Sequence, residues 1–260
     1  MKLAMENNQF RVNGYLINRV KRDAHWKWMK EGWEAFRLTQ KPSLKIGAIV
    51  VGVSLAILAI LWNMGLSAFI PAAYAAFALT GPVIATLIYG ISRKLEEDGK
   101  VKRLRTVNMR PNSPSQVGFI GFTLLILVLT WALMALLIYA LTIGGTAPLN
   151  LLDFISFALN DIRGLIMGVL GTAVGSVLAL FGFSIAAISI PLAFDRDVDA
   201  LTAMAASVEA VMRNPTAMLS WAFVISVSVA FSAFFFFLPM IVIFPWLGHV
   251  TWCAYRDLVD

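Results

Sequence analysis

The sequence has few charged residues for its length. Charged residues make up 14% of the 260 residues and hydrophobic residues 59%, against about 25% and roughly 45–50% in soluble domains. A water-soluble globule of this size could not cover its surface with so few charges, because the surface is where charged side chains are found. Most classes of soluble enzyme are therefore excluded.

Cysteine and histidine are almost absent. The chain has Cys253 as its one cysteine and His25 and His249 as its two histidines, which excludes an internal disulfide and any metal cage built from cysteines alone. The sequence contains no HExxH, CxxC, CxxCH, GxxxxGK or GxSxG motif. We therefore predict a protein without catalytic, cofactor-binding or metal-binding residues.

Four long stretches of the sequence contain no charged residue. No Asp, Glu, Lys or Arg occurs in residues 46–92, 111–152, 164–194 or 214–255. A hydrocarbon core about 30 Å thick is crossed by roughly 20 apolar helical residues, so each stretch can cross at least once. The sequence predicts an all-α, polytopic membrane protein.

Two of these stretches are long enough for two crossings each. The first is divided by a predicted turn at Asn63-Met64-Gly65, and its second half contains Pro82, which predicts a kink. The last contains Pro239 and Pro245; it is two spans with a tight turn, or one span followed by a re-entrant segment. We predict a cytoplasmic arm over 1–45 and a transmembrane domain of about six helices over 46–260, with spans near 46–62, 67–91, 117–143, 164–194, 217–237 and 239–255.

Basic residues cluster between the predicted spans. Ten lie in residues 1–45, seven in 93–110, two in 196–213 and one at Arg256, so that six spans with both termini inside place 20 of the 21 in the cytoplasm. This distribution, rather than nucleic-acid binding, explains the net charge of +6. We predict a multi-pass membrane protein with both termini in the cytoplasm.

Two segments outside the spans have amphipathic spacing. Trp26, Met29, Trp33 and Phe36 recur at helical intervals, which predicts a helix in the headgroup plane that serves as an interfacial anchor or docks lipid or a partner. A second such helix is predicted after Asp195 from residues that would share one face: Val198, Leu201, Ala205, Val208 and Met212.

A polar cluster is predicted where the fourth and sixth spans reach the cytoplasm. On a helix, His249, Trp252 and Arg256 share a face. Asp195 or Asp199 at the same level would pair with Arg256, with Arg196 beside them and His249 hydrogen-bonded below. His249 serves either as a structural hydrogen-bond partner within the bundle or as a ligand contact.

Glycines recur along the fourth predicted span. Gly164, Gly168, Gly171 and Gly175 follow steps of four, three and four residues, and Gly182 continues the row. Such a row lets a neighbouring helix approach closely. It predicts packing within the bundle or, as the alternative, a face for a second copy of the chain.

The predicted spans carry no acidic or basic residue except at their cytoplasmic ends. Ion-coupled transporters use ionisable groups at membrane depth, so the absence counts against that class. Helix breaks at Thr80-Gly81-Pro82 and Pro239 leave open an uncoupled carrier or channel for a neutral solute.

Three passages resemble a family of bacterial integral membrane proteins catalogued as domain of unknown function 2189. The resemblance extends over nearly the whole chain, and its second and third passages are the specific ones. The first passage is Ile17-Asn18-Arg19-Val20 with Trp28, Gly32-Trp33 and Phe36; the second contains Pro191, Asp195-Arg196, Asp199, Ala203, Ser207, Asn214-Pro215, Met218 and Trp221; the third contains Pro245, Gly248-His249, Thr251-Trp252 and Tyr255-Arg256.

The resemblance implies a fold of about six helices and no activity. The family's last motif often has a second histidine where this chain has Cys253, and the departure removes a histidine pair that could hold a metal. Some members are labelled as cytochrome c oxidase subunit I, whose haem and copper sites need about six histidines. This chain has two.

These observations predict a non-enzymatic protein that is a structural or accessory component of a membrane complex. Its expected partners are membrane lipids, another membrane protein or a second copy of itself. An uncoupled small-solute transporter or channel and a subunit associated with a respiratory oxidase are the alternatives.

Overall fold

The computed structural model describes residues 3–6, 9–12, 14–101, 103–143 and 151–260. Ten α-helices account for most of them, and the predicted all-α class is confirmed. The helices are α1 (Ala24–Leu38), α2 (Gln40–Asn63), α3 (Ile70–Ile84), α4 (Thr86–Asp98), α5 (Pro114–Ile143), α6 (Leu151–Asn160), α7 (Ile162–Asp195), α8 (Ala200–Arg213), α9 (Pro215–Phe234) and α10 (Met240–Leu258).

A small sheet precedes the helices, which the sequence did not predict. Strands β1 (Leu3–Glu6), β2 (Gln9–Val12) and β3 (Tyr15–Ile17) pair antiparallel in chain order. The end of the chain continues this sheet, because the backbone N–H of Asp260 donates to the carbonyl of Leu16 at 3.1 Å. Residues 15–17 and 258–260 therefore lie at the same end of the molecule.

Among the described residues, four helices are long and apolar enough to cross a membrane: α2, α5, α7 and α9. The other two predicted spans correspond to α3 with α4 and to α10. Ser43 and then Gly47 of α2 contact His249 and then Ile241, so α10 runs antiparallel to α2. Contacts between α10 and the pair α3 and α4 follow in the same chain order, so α10 runs parallel to both; they are Phe77 with Phe244, Ile88 with Gly248 and Glu96 with Trp252. Six spans stay a prediction, because neither α3 with α4 nor α10 is among these four helices.

The predicted second span is broken into two helices. Pro82 cannot donate a backbone hydrogen bond, and α3 ends two residues later at Ile84 before α4 begins at Thr86. The turn before α3 lies where the sequence places it. Gly65 adopts a left-handed φ of 71°, and the N–H of Leu66 reaches back to the carbonyl of Leu61 at 2.8 Å, a pattern typical of a Schellman helix end.

The turn between α9 and α10 is formed by phenylalanines. Phe236 and Phe237 both have positive φ, at 51° and 65°, which is unusual for large side chains. Packing holds this turn in place, because Phe237 is buried with its ring centroid 4.8 Å from those of Tyr74 and Phe77. Phe237 therefore belongs to the core rather than to the lipid-facing surface.

Helix α1 packs within the protein by a face that shares only Phe36 with the buried part of the predicted stripe, and the predicted role of the stripe at the headgroup plane stays a prediction. Trp28, Gly32 and Phe36 are buried, whereas Trp26 and Trp33 are exposed. The reason is Gly32, where an added Cβ would lie 2.7 Å from the backbone nitrogen of Val250. The missing side chain lets α1 lie directly against α10.

The C-terminal end of α10 also holds α1. The Trp28 indole N–H donates to Asp257 at 2.8 Å and Lys27 pairs with the same carboxylate at 2.9 Å. The hydrogen bond to Asp257 raises the pKa of Lys27 above its usual range.

Helix α8 likewise packs through small residues, not through the predicted apolar face. Ala203, Ala206, Ser207 and Ala210 are buried, and α8 packs mainly against α7. Leu201 and Met212, which belong to the predicted apolar face, are exposed. The small residues form the packed face because they allow the closest approach of two helices.

Candidate functional site

Three helices bring charged residues together at one end of the bundle. Arg256 of α10 donates to Asp195 at the end of α7 at 3.1 Å, and to Glu96 of α4 at 2.7 and 3.1 Å through two different nitrogens. Such multiple, charge-assisted contacts are the stronger class of hydrogen bond. The structure thus joins Arg256 to Asp195, as the sequence predicts, and adds Glu96.

Aromatic side chains complete this latch, which we define as Glu96, Asp195, Trp252, Tyr255 and Arg256. The Trp252 indole N–H donates to Glu96 at 2.8 Å, and the Tyr255 hydroxyl donates to Asp195 at 2.7 Å. The Arg256 guanidinium lies 5.4 and 5.7 Å from the centroids of the Trp252 and Tyr255 rings. These distances are within the range of cation–π attraction.

Arg196 lies beside the latch. Its guanidinium donates to the carbonyl of Val259 at 3.3 Å and lies between the rings of Tyr15 and Tyr255, at 5.7 and 6.0 Å from their centroids. Arg196 therefore connects the latch to the strand β3.

Asp199 caps helix α8 instead of pairing with Arg256, which corrects the predicted cluster. Its carboxylate accepts the backbone N–H of Thr202 at 2.9 Å and caps the first turn of α8. Hydrogen bonds from the side chain and backbone of Thr202 hold the pKa of Asp199 below its usual range. An N-cap position uses the carboxylate locally, which is why Asp195 rather than Asp199 meets Arg256.

His249 has its hydrogen-bond partners outside the latch, within the bundle. The ring is fully buried and surrounded by hydroxyl groups. Nδ1 lies 2.7 Å from the Ser92 hydroxyl, while Nε2 lies 3.1 Å from both the Thr39 and Ser43 hydroxyls. This hydroxyl cage joins α10 to α4 and to the junction of α1 and α2.

A count of protons assigns the tautomer of the neutral ring. Thr39 donates its one hydroxyl proton to the carbonyl of Ala35 at 2.7 Å, so the contact of 2.9 Å between Thr39 and Ser43 must use the proton of Ser43. Nε2 then has to donate, and Nδ1 accepts from Ser92. The geometry therefore points to the Nε2–H tautomer.

A serine that donates to a histidine is also the first requirement of a nucleophile and its base. Here Ser92 and His249 are both buried, hydroxyls rather than a carboxylate hold the other ring nitrogen, and neither residue lines a described cavity. The described contacts of His249 are thus hydrogen bonds between helices, and its ligand contact stays a prediction.

The glycine row of α7 is only partly used for packing. An added Cβ would lie 2.7 Å from the carbonyl carbon of Phe157 at Gly164, and 3.1 Å from the ring of Trp131 at Gly175. At Gly168 and Gly171 it would meet nothing within 4 Å, so packing within the bundle is found at two of the four glycines, and the alternative, a face for a second copy, stays a prediction. Gly171 instead lines a cavity.

This cavity has a volume of about 590 Å³ and lies between α3, α5, α7, α9 and α10. Its described lining is largely apolar and contains no charged side chain. It reaches the helix break at Pro82. Representative lining residues are Phe77, Pro82, Trp131, Gly171, Trp221 and Phe244.

A polar cavity of about 570 Å³ lies beside the latch. Glu96, Asp195 and Arg256 contribute to its lining, together with Arg93. The Arg93 guanidinium makes hydrogen bonds within the protein, because it donates to the carbonyls of Phe194, Asn108 and Arg110 at 3.0–3.2 Å.

Three aromatic rings pack together near both cavities. The centroids of Tyr89, Phe194 and Trp252 are 5.9–6.3 Å apart. Tyr89 lines the apolar cavity, and Trp252 belongs to the latch, so these rings connect the cavity wall to the latch.

No three His, Cys, Asp or Glu side chains come together as a possible metal site within the part of the chain that the structure describes. The absence of cofactors stays a prediction.

The fold and this site define a helical, polytopic membrane protein. Residues 69–195 match the model of a family described as "Predicted integral membrane protein (DUF2189)", which confirms the resemblance indicated by the sequence. The function of that family is unknown. Of the passages that carry the resemblance, the match includes Pro191 and Asp195. No curated protein and no solved structure matches the chain.

The latch gives a first testable prediction. Because 41% of the Arg256 side chain is exposed, its ion pairs are partly screened, and Arg256→Ala is expected to cost only about 1–2 kcal/mol of stability. In thermal unfolding in detergent, Asp195→Ala combined with Arg256→Ala should cost less than the sum of the single substitutions. Lys94→Ala, which removes a partly exposed pair with Asp98, is the control and should be nearly neutral. Full additivity of the Asp195 and Arg256 substitutions would contradict the coupling.

Proposed function

We propose that the protein is a non-enzymatic accessory protein of the membrane that organises lipid by holding an apolar molecule inside its helical bundle. The apolar cavity carries this proposal. Its volume falls within the roughly 300–1,000 Å³ that is typical of ligand pockets. Apolar cavities favour apolar guests over water, and the described lining offers no charged group for catalysis.

The experiment is purification from the native membrane in a gentle detergent, followed by identification of the lipids and proteins that remain bound. The proposal expects stoichiometric lipid, with or without a partner protein. A chain that retains neither would contradict it. An absorbance spectrum of the same sample tests the association with a respiratory oxidase, because a haem-containing partner would add a Soret band.

An uncoupled carrier for a small neutral solute is the second candidate. The observation that favours it is the contact between the cavity and the helix break at Pro82. Uptake of neutral solutes into vesicles that contain the purified chain tests this role. Flux well above that of empty vesicles would favour transport over lipid organisation.

We also propose that the protein lies in the bacterial inner membrane with both termini in the cytoplasm. The backbone pairing of Leu16 with Asp260 supports an even number of crossings, since it places both residues on one side. The excess of basic residues in 1–45 and 93–110 supports the inside assignment.

Cysteine labelling of intact cells tests this orientation. In a Cys253→Ser background, an impermeant thiol reagent should label a cysteine at Asn160, which is exposed in α6, and should not label one at Lys100. Gly145, the outer position that the sequence suggests, lies outside the described residues. Labelling at Lys100 before the cells are opened would reverse the topology.

A further inference from the structure

We propose that the cavity holds one acyl chain of a bilayer phospholipid, which enters sideways between α7 and α9 and is recognised without its headgroup. This inference rests on the proposed function, and it specifies the ligand class, its route of entry and the residue that controls occupancy.

The route of entry is visible in residues that belong both to the cavity and to the outer surface. Leu180 of α7 and Phe223 of α9 line the cavity, yet they are 46% and 69% exposed. The two helices flank the cavity without packing extensively against each other. Both sides of this mouth are apolar, so in a membrane it opens towards lipid tails.

The interior also favours an apolar chain. Phe77, Trp221 and Phe244 supply large apolar surfaces. Two of the hydroxyls in the lining, those of Ser226 and Thr251, donate to carbonyls of their own helices at 2.9 Å. Their protons are therefore already used, and the described lining contains no cation that would select an anionic headgroup.

The volume argues against a helix from a second copy as the occupant. A helix is about 10 Å wide, so 590 Å³ corresponds to a length of only about 7–8 Å, or roughly five residues. An acyl chain is much thinner and can lie along the cavity. A single chain is therefore the occupant that fits both the shape and the chemistry.

The glycine row supplies a matched pair of variants. Gly171 and Gly168 both lie on α7, and at neither would an added Cβ meet an atom within 4 Å. Only Gly171 lines the cavity. Gly171→Leu should fill the cavity, whereas Gly168→Leu adds the same side chain one turn away and leaves the cavity empty.

The test uses the full chain in vesicles that contain a phospholipid with a diazirine in its acyl chain. After irradiation, mass spectrometry should find the label on cavity residues such as Phe77, Trp221 or Phe244. Gly171→Leu should reduce this labelling by about tenfold, and Gly168→Leu should leave it unchanged. Because Gly171→Leu could affect folding, Ser226→Phe provides a second block from the opposite, α9 side of the cavity, and circular dichroism checks both variants.

Three results would overturn the proposal: labelling that Gly171→Leu and Ser226→Phe do not reduce, labelling confined to outer surfaces, or cross-links to a second copy of the chain. Phosphatidylglycerol, phosphatidylethanolamine and phosphatidylcholine that carry the same diazirine chain should label the cavity residues equally. A strong preference for one headgroup would also contradict the proposal. If natively purified protein retains lipid while the cavity stays unlabelled, this inference fails and the proposed function stands. If neither lipid nor a partner is retained, both fail.

Discussion

Replacement of His249 by alanine is expected to lower the free energy of unfolding by about 3 kcal/mol. The substitution leaves a cavity in a fully buried position and removes the common partner of the Ser92, Thr39 and Ser43 hydroxyls. Buried polar groups without partners cost about 1–3 kcal/mol each. In a thermal melt in detergent, the midpoint should fall by roughly 6–12 °C.

Thr251→Ala is the matched control for this experiment. Thr251 lies on the same helix, and its hydroxyl donates only to the carbonyl of Leu247, so its removal strands no other buried side chain. We expect a cost below about 0.5 kcal/mol. His249→Ala and Ser92→Ala should also be non-additive, because they share one hydrogen bond. A melt of His249→Ala indistinguishable from that of Thr251→Ala would contradict the structural role of the cage.

Charge spacing predicts the helical passes well because its signal is strong and local. The four longest apolar helices fall within the charge-free stretches, apart from their ends, and the turn after Asn63 ends α2. The break near Pro82 follows from the missing N–H of proline. The sheet of β1, β2 and β3 could not be predicted from charge spacing, since its three strands are short and lie among polar residues.

The faces by which α1 and α8 pack within the protein could not be predicted from hydrophobic spacing. Spacing groups Trp33 and Leu201 on apolar faces, which can lie against lipid, whereas the structure buries Gly32 and Ala206 and leaves the two larger residues exposed. Small residues allow the closest approach of two helices. The packed face of each helix is therefore marked by small residues and not by the large apolar ones.

The candidate site was predictable in part. Helical spacing and a shared membrane level bring Arg256 near Asp195, and the structure joins them. Glu96 had no comparable signal, because its approach depends on the direction in which α4 leaves the break after Pro82. His249 lies about two helical turns from Arg256, and the partners that fix it come from α4 and from the junction of α1 and α2. Such long-range hydroxyl contacts leave no local pattern in the sequence.

Replacement of Gly47 by alanine is expected to cost about 3 kcal/mol or more. The added Cβ would lie 2.8 Å from the carbonyl carbon of Ile241, which is backbone and cannot rotate away. The contact joins α2 to α10, and α10 is largely buried at the centre of the bundle. The two helices would have to separate, and overpacking of this kind costs about 1–3 kcal/mol even where side chains can adjust.

Gly52→Ala, in the same helix, separates this steric effect from helix propensity. At Gly52 an added Cβ meets nothing within 4 Å, so alanine should be neutral or stabilise the protein by about 0.5–1 kcal/mol through its better helix propensity. The midpoint of thermal unfolding in detergent should therefore fall for Gly47→Ala, and it should rise or stay unchanged for Gly52→Ala. If both variants melted like the unaltered protein, α2 and α10 would not be in backbone contact at Gly47, because a contact with the Ile241 backbone leaves no room for a methyl group.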